Sequence, residues 1–227
     1  MSFAYRDGVY CAEDLSLEVV AQRHGTPCYV YSRAAIESAY REFEQALASA
    51  HQPRRSLISY SVKANSNLAV LALLARLGAG FDIVSGGELA RVLAAGGDPR
   101  KVVFSGVGKT EAEIAQALEA RILCLNLESE EELARTDAIA GRLGVRAPIA
   151  FRVNPDVDAK THPYISTGLK QNKFGVPYAE AERLYRDAAA RPNIEVAGVG
   201  CHIGSQLTKS SPLIDAAARI AELVARI

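Results

Sequence analysis

Short apolar runs alternate with longer amphipathic segments along most of this chain. Six apolar runs after residue 55 have the length and composition of buried strands. They cover residues 57–62, 80–84, 102–105, 122–127, 148–153 and 196–202. The segments between them are rich in Ala, Leu, Glu and Arg and repeat their apolar residues at helical spacing. This alternation predicts an α/β fold whose parallel strands are joined by right-handed crossovers.

Polar residues mark where several of the helices begin. Three segments open with a Ser or Thr followed three residues later by Glu, the spacing of a capping box. These are Ser85 to Glu88, Thr110 to Glu113 and Ser129 to Glu132. Further helices are predicted at 33–49, 68–77 and 212–227.

The order of the elements favours a TIM-type (β/α) barrel over an open doubly wound sheet, because the six units contain no Gly-rich dinucleotide turn. A complete barrel has eight units, so we expect an incomplete one. Residues before 33 do not follow the repeat. There, residues 26–31 predict an isolated strand that pairs outside the barrel. We therefore divide the chain into residues 1–32 and a partial barrel over 33–227.

The composition of the chain mainly argues against certain classes of function. The chain has 227 residues, 49% of them apolar, and a formal net charge of zero, which gives no electrostatic reason to expect binding to nucleic acid or membranes. No apolar stretch approaches the roughly 20 residues of a membrane span, and the first residues lack the layout of a signal peptide. The widely spaced Cys11, Cys28, Cys124 and Cys201 form no CxxC pair. We expect reduced thiols and a cytoplasmic location.

Lys63 is the most informative residue. It lies at the polar end of the first barrel strand, directly before a predicted helix. An amine buried at that point would be available in its neutral form to attack a carbonyl, which is the chemistry of a Schiff-base lysine.

Strand parity brings other polar residues to the same end. Side chains alternate between faces with a period of two, so the large apolar residues should pack on the helices and the small and polar ones line the barrel. The inward set near the carboxyl ends of the strands is Lys63, Asp82, Asn126, Arg152 and His202. Active sites of barrels lie at this end. Each residue alone has a structural explanation, such as an exposed lysine or a core histidine, but five together favour a functional cluster.

One apparent motif fails. Gly106 to Thr110 follows a strand and opens a helix, as a phosphate loop does. The NTPase pattern requires glycine five residues before Gly108, where this chain has Val103. We therefore expect Lys109 to cap or flank a barrel loop.

Several segments resemble the pyridoxal-phosphate decarboxylases that have an alanine-racemase-like barrel. The matching motifs are Tyr60 to Asn65, Gly80 to Glu88 and His202 to Gln206. The long polar stretch from Asn154 to Gly175 is similar to the diaminopimelate decarboxylase branch of that family, which makes L-lysine from meso-2,6-diaminopimelate.

The resemblance implies a role for each site residue. Lys63 would hold pyridoxal 5'-phosphate as a Schiff base and His202 would stack on its ring, both as catalytic residues. Asp82 and Arg152 would organise the wall around Lys63, and Ser205 would help to position the phosphate. The stretch from Asn154 would shape the substrate pocket. No residue is assigned to a metal.

The same resemblance implies what this chain does not contain. Family members are longer and add two barrel units and a carboxyl-terminal β domain, to which the strand at 26–31 would belong. The phosphate loop, the acidic partner of the pyridine nitrogen and a cysteine acid from the second subunit lie in that part. We expect an amino-terminal portion of a homodimeric enzyme, inactive by itself.

Other functions stay open on the sequence. Ornithine, arginine or carboxynorspermidine decarboxylases and racemases share the lysine and the fold. A non-catalytic pyridoxal-phosphate-binding barrel, or a cofactor-free barrel that binds a phosphorylated metabolite, belongs to a different class. Substrate profiling would distinguish among the decarboxylases and racemases. Absorbance of a bound cofactor would distinguish a barrel that binds pyridoxal phosphate from a cofactor-free one.

Overall fold

A computed structural model describes residues 2–50, 56–157, 174–204 and 207–227 of the chain. The first elements are three short antiparallel strands in the order β1-β2-β3, followed by two helices. They are β1 Phe3–Arg6, β2 Val9–Ala12, β3 Leu15–Ser16, α1 Leu17–His24 and α2 Arg33–Ala50.

The small antiparallel sheet was missed by the sequence analysis, although a signal for it exists. Asp7 and Gly8 join β1 to β2, and both have positive φ, 49° and 80°. Asp-Gly is a preferred pair for such a two-residue hairpin turn. The structure assigns no strand to residues 26–31 in this chain. Their predicted partner belongs to a domain outside this chain, so the predicted strand stays a prediction. A strand needs a hydrogen-bonded neighbour, which 26–31 lacks here.

Glu13 connects this first part to α2. Its carboxylate accepts hydrogen bonds from the Ser32 hydroxyl at 2.7 Å and from the backbone N–H of Ala34 at 2.8 Å. These contacts satisfy a free donor of the first helical turn and lower the pKa of Glu13, the bond from Ala34 contributing most. The division at residues 32 and 33 stays a prediction.

The remaining elements build the barrel. Its strands are β4 Ser59–Ser61, β5 Gly80–Ile83, β6 Val102–Phe104, β7 Cys124–Leu127, β8 Ala147–Asn154, β9 Val176–Pro177 and β10 Ile194–Gly200. Its helices are α3 Leu68–Leu77, α4 Gly86–Ala94, α5 Glu111–Glu119, α6 Glu130–Leu143, α7 Ala181–Ala190 and α8 Ser211–Val224. All six predicted strands are present, with ends that differ by up to two residues at each side.

The sheet order confirms the barrel prediction. Each strand lies next to the one before it, in the order β10-β8-β7-β6-β5-β4, and β9 pairs with β8. All of these neighbours are parallel. A doubly wound sheet would reverse its order in the middle, and this one does not. Among the described residues β4 and β10 are the two edges, so the barrel is open and partial.

The core lies between the strands and the outer helices, as strand parity predicted. Fully buried side chains alternate along each central strand and face the helices. They include Phe81, Ile83, Phe104, Leu125, Leu127, Ile149, Phe151 and Val153. Aromatic and branched residues of this size contribute most of the apolar surface that folding buries. The opposite face of the same strands is left for polar side chains.

The predicted helix starts are correct, but only one is a complete capping box. Thr110 and Glu113 cap each other reciprocally at the start of α5. In α4 and α6 a serine caps the helix, while the glutamate three residues later accepts from the backbone one residue before the serine. This longer reach ties the helix start to the end of the preceding strand.

Candidate functional site

A cavity of about 540 Å³ opens at the carboxyl ends of the parallel strands. Lys63, Asp82, Asn126, Arg152 and His202, the five predicted residues, all line it. They come from five different strands or strand ends, and adjacent parallel strands place their ends at one edge. Parity therefore predicted this convergence, whereas the chemical role of each residue stays a prediction.

Lys63 differs from expectation in its environment. It lies in a short 3-10 helix, Val62–Ala64, directly after β4, and its side chain is exposed rather than buried. The reason is its strand: β4 is an edge of the open sheet, so no neighbouring strand covers this side among the described residues. Val62 beneath it is fully buried and anchors the turn.

Asp82 and Asn126 are joined by a residue that the sequence analysis missed. Ser105, at the end of β6, donates to the Asp82 carboxylate at 2.5 Å and accepts from the Asn126 amide at 3.0 Å. The three side chains form a polar row across β5, β6 and β7. Parity could have found Ser105, because it alternates with the buried Val102 and Phe104.

Arg152 forms the opposite wall together with Glu128. Its guanidinium donates to the Glu128 carboxylate at 3.2 Å, and the two side chains are only 16% and 5% exposed. The guanidinium also lies 5.5 Å from the centre of the Phe174 ring, within cation–π range. Glu128 could have been found by parity with Asn126, whereas Phe174 lies outside any periodic segment. Arg152 lines the cavity and Glu128 lies behind it, so the guanidinium is the charged group that this wall presents.

His202 lies at the rim of the cavity, after β10. Desolvation lowers the pKa of His202, the positive charges of Arg152 and Lys63 lower it further, and Asp82 and Glu128 raise it. The net shift of the His202 pKa is downward, which disfavours the charged form of the ring. Gly200, two residues before His202, lines the cavity without a side chain, which leaves space there. Gly198 does not line the cavity.

Cys201 also lines the cavity. Strand parity with Val199 would place it on the outer face, but β10 ends at Gly200 and the alternation ends with it. Ser205 lies outside the described residues, and so do residues 158–173 of the long loop, so their predicted roles are not placed.

The family assignment rests on a match to a family model. The model of the pyridoxal-dependent decarboxylase, pyridoxal binding domain, matches residues 33–227. This chain belongs to the pyridoxal-dependent decarboxylases. The match includes all the strands that carry the cavity, and the alanine-racemase-like barrel is its fold.

Named relatives are similar to this chain along nearly all of its length. Diaminopimelate decarboxylase from Pseudomonas aeruginosa is 59% identical over 226 residues, which are 100% of this chain and 54% of the relative. The Vibrio cholerae enzyme of the same name is 59% identical over 96% of this chain and 51% of the relative. The chain therefore spans about half the length of the curated relatives it matches.

Solved structures agree with this fold. Diaminopimelate decarboxylase from Helicobacter pylori, complexed with L-lysine, superposes with a TM-score of 0.88 at 47% identity, covering 93% of this chain and 52% of that one. Diaminopimelate decarboxylase from m. jannaschii, in co-complex with L-lysine, superposes with a TM-score of 0.92 at 39% identity, covering 98% of this chain and 52% of that one.

In the helices that the structure describes, none combines the length and apolarity needed to cross a membrane. Among all the described residues, no three His, Cys, Asp or Glu side chains are grouped to hold a metal ion. The four cysteines are free thiols, Cys11 and Cys124 buried, Cys28 and Cys201 exposed.

Proposed function

We propose that this chain is the pyridoxal-phosphate-binding part of a diaminopimelate decarboxylase, which removes CO2 from meso-2,6-diaminopimelate to leave L-lysine. The observation that carries the proposal is the position of Lys63 on a cavity walled by Asp82, Arg152 and His202. The substrate is supported by the relatives named above, whose solved structures hold L-lysine.

The residues present fit the cofactor. The cavity has a primary amine at one side, a carboxylate and an amide in the polar row, and a guanidinium opposite. Gly200 lines the cavity beside Asn126 and projects no side chain into it. The buried Ser61 hydroxyl and Arg152 Nε have no hydrogen-bond partner in the described structure, so the wall keeps polar atoms available.

We assign these roles to the chain's own residues. Lys63 would hold the cofactor covalently, and the His202 ring would lie against its flat face. Asp82 and Arg152 would orient the bound group, and Ser205 would hold its phosphate end. Pyridoxal phosphate, when bound, supplies an electron sink for the carbanion that loss of CO2 leaves. Within this chain, the cavity walls would fix how the substrate is oriented against the bound cofactor.

The proposal extends to the oligomeric state, the location and the domain division of the protein. We propose a homodimer in the cytoplasm, as the resemblance implies, and the long loop from Asn154 as part of the substrate pocket. Residues 1–32 would form a segment apart from the barrel domain at 33–227. Light scattering during size-exclusion chromatography would test the homodimer.

The deciding experiment is borohydride reduction of the chain after incubation with pyridoxal phosphate, followed by peptide mapping. We expect one stable adduct, at Lys63, which Lys63→Met removes and Lys101→Met keeps. Lys101 is the matched control, since it precedes β6 at the other end of the barrel and donates to the Gly78 carbonyl. A chain that circular dichroism shows to be folded, yet unlabelled at Lys63, would refute the cofactor assignment.

Substrate choice needs the rest of the enzyme. A chimera with this chain in place of the matching half of the Pseudomonas aeruginosa enzyme should release CO2 from meso-diaminopimelate. Preference for ornithine or arginine would instead support the other decarboxylases.

A further inference from the structure

Lys109 is a buried lysine that the proposed chemistry does not use. Its residue is 3% exposed, and its ammonium donates three hydrogen bonds. The acceptors are the Gly106 carbonyl at 2.6 Å, the Asn126 carbonyl at 2.7 Å and a Glu132 oxygen at 2.8 Å. Gly106 and Asn126 both line the cavity. One cation therefore holds the loop after β6, the end of β7 and the first turn of α6 together.

Glu132 connects Lys109 to the backbone of Glu128. While Oε1 accepts from Lys109, Oε2 accepts from the backbone N–H of Glu128 at 2.8 Å. A carboxylate has the two acceptor oxygens that this double contact requires. The helix start before it is capped by Ser129, which accepts from the Glu132 N–H at 3.2 Å.

The same capping arrangement occurs in α4 without the lysine. Ser85 accepts from the Glu88 N–H at 3.2 Å, and Glu88 Oε2 accepts from the Val84 N–H at 2.8 Å. The two helix starts differ at the other carboxylate oxygen: in α6, Glu132 Oε1 accepts a hydrogen bond from Lys109. Capping by itself therefore does not require the buried ammonium.

Glu128 connects Glu132 to Arg152 in the cavity wall. Its backbone is held by Glu132, and its carboxylate pairs with Arg152 at 3.2 Å. Arg152 lines the cavity and has Phe174 beside its guanidinium. The sequence of contacts runs from Lys109 through Glu132 and Glu128 to Arg152.

We propose that Lys109 and Glu132 are positioning residues that set the place of Arg152 in the cavity wall. The inference deepens the proposed function, on which it rests for the ligand that Arg152 faces. A buried ion pair adds little net stability compared with apolar residues of similar size, because desolvation offsets the attraction. What this pair supplies is a defined geometry for three chain segments.

Glu132→Gln is the sharpest variant. Glutamine has nearly the shape of glutamate but one acceptor oxygen, so it can serve either Lys109 or the Glu128 N–H, not both. Glu88→Gln is the matched control, because it alters the same capping contact in α4. A second variant, Lys109→Met with Glu132→Leu, removes both charges and avoids leaving one of them buried alone.

The readout is the rate at which phenylglyoxal modifies Arg152 in the folded, cofactor-free chain, followed by peptide mapping. We expect the rate to rise roughly tenfold in Glu132→Gln and in the double variant, the size of one lost charged hydrogen bond, and to stay unchanged in Glu88→Gln. Arg191, a partly buried arginine paired with Asp187 on α7, is the internal reference. With cofactor present, the dissociation constant for pyridoxal phosphate should also rise in the first two variants.

An Arg152 modification rate that stays the same in all variants would refute the positioning role. So would an Arg152 rate that rises in parallel with the Arg191 rate, because general loosening of the fold would produce that result. Because the modification is measured without cofactor, it tests positioning even if no adduct forms at Lys63. Absence of that adduct in the unsubstituted chain counts against the proposed function alone.

Discussion

The Tyr185 hydroxyl donates a hydrogen bond to the Gly198 carbonyl across 2.7 Å and accepts one from the Phe151 N–H at 2.9 Å. It lies where the pairing of β10 with β8 shifts register, between Val196 and Gly198. A bulge of this kind leaves backbone groups without ladder partners. A side chain from α7 therefore completes the strand pairing that leads to Gly200 and His202.

Tyr185→Phe should destabilise the fold by about 1–3 kcal/mol, because two buried backbone groups lose their partner. Urea denaturation measures the change. Tyr29→Phe is the control, since Tyr29 is 91% exposed and its change should be close to zero. Equal stability of Tyr185→Phe and the unsubstituted chain would contradict the bridging role.

The same tyrosine gives a pH dependence. Burial raises the pKa of Tyr185 from 10.0 to about 12. A raised pKa in the folded state means that this contribution to stability is complete below pH 10.0 and is lost as the pH rises through about 12. The difference in unfolding free energy between the unsubstituted chain and Tyr185→Phe should therefore shrink across that window. A difference in unfolding free energy that stays constant across this pH range would contradict the raised pKa of Tyr185.

His202 should respond to its two neighbours in opposite directions. Arg152 lowers the pKa of His202 and Asp82 raises it, after the larger effect of desolvation. Arg152→Gln should therefore raise the pKa of His202, and Asp82→Asn should lower it. An NMR titration of the imidazole protons measures both. Shifts of the same sign in the two variants would contradict the arrangement of charges.

Gly80 should tolerate no side chain. A Cβ there would lie 2.6 Å from the Lys101 carbonyl oxygen and 2.9 Å from Leu57 and Ser59 atoms. Gly80→Ala should cost about 1–3 kcal/mol, because the nearest atom belongs to the backbone that leads directly into β6. In Gly87→Ala the nearest atom is 3.8 Å away, so thermal unfolding should show no loss there. A tolerated Gly80→Ala would mean that β5 and β6 lie farther apart.

Local pattern was enough to predict much of the barrel. The six strand regions, helix α3 and the starts of α4, α5 and α6 follow from apolar periodicity and capping residues, which act within a few positions of the chain. Parity alone placed five polar side chains on one cavity, because alternation is a property of any strand. The sequence motifs also identified the family.

Other features depended on contacts between distant residues. The exposure of Lys63 follows from β4 being a sheet edge, and the absence of a strand at 26–31 follows from its lack of a neighbour. Ser105 and Glu128 became site residues only when β6, β7 and β8 lay side by side. Hydrogen bonds between segments far apart in sequence leave no local pattern, so the tertiary structure alone decided that Lys109, Glu132 and Arg152 belong to one connected wall.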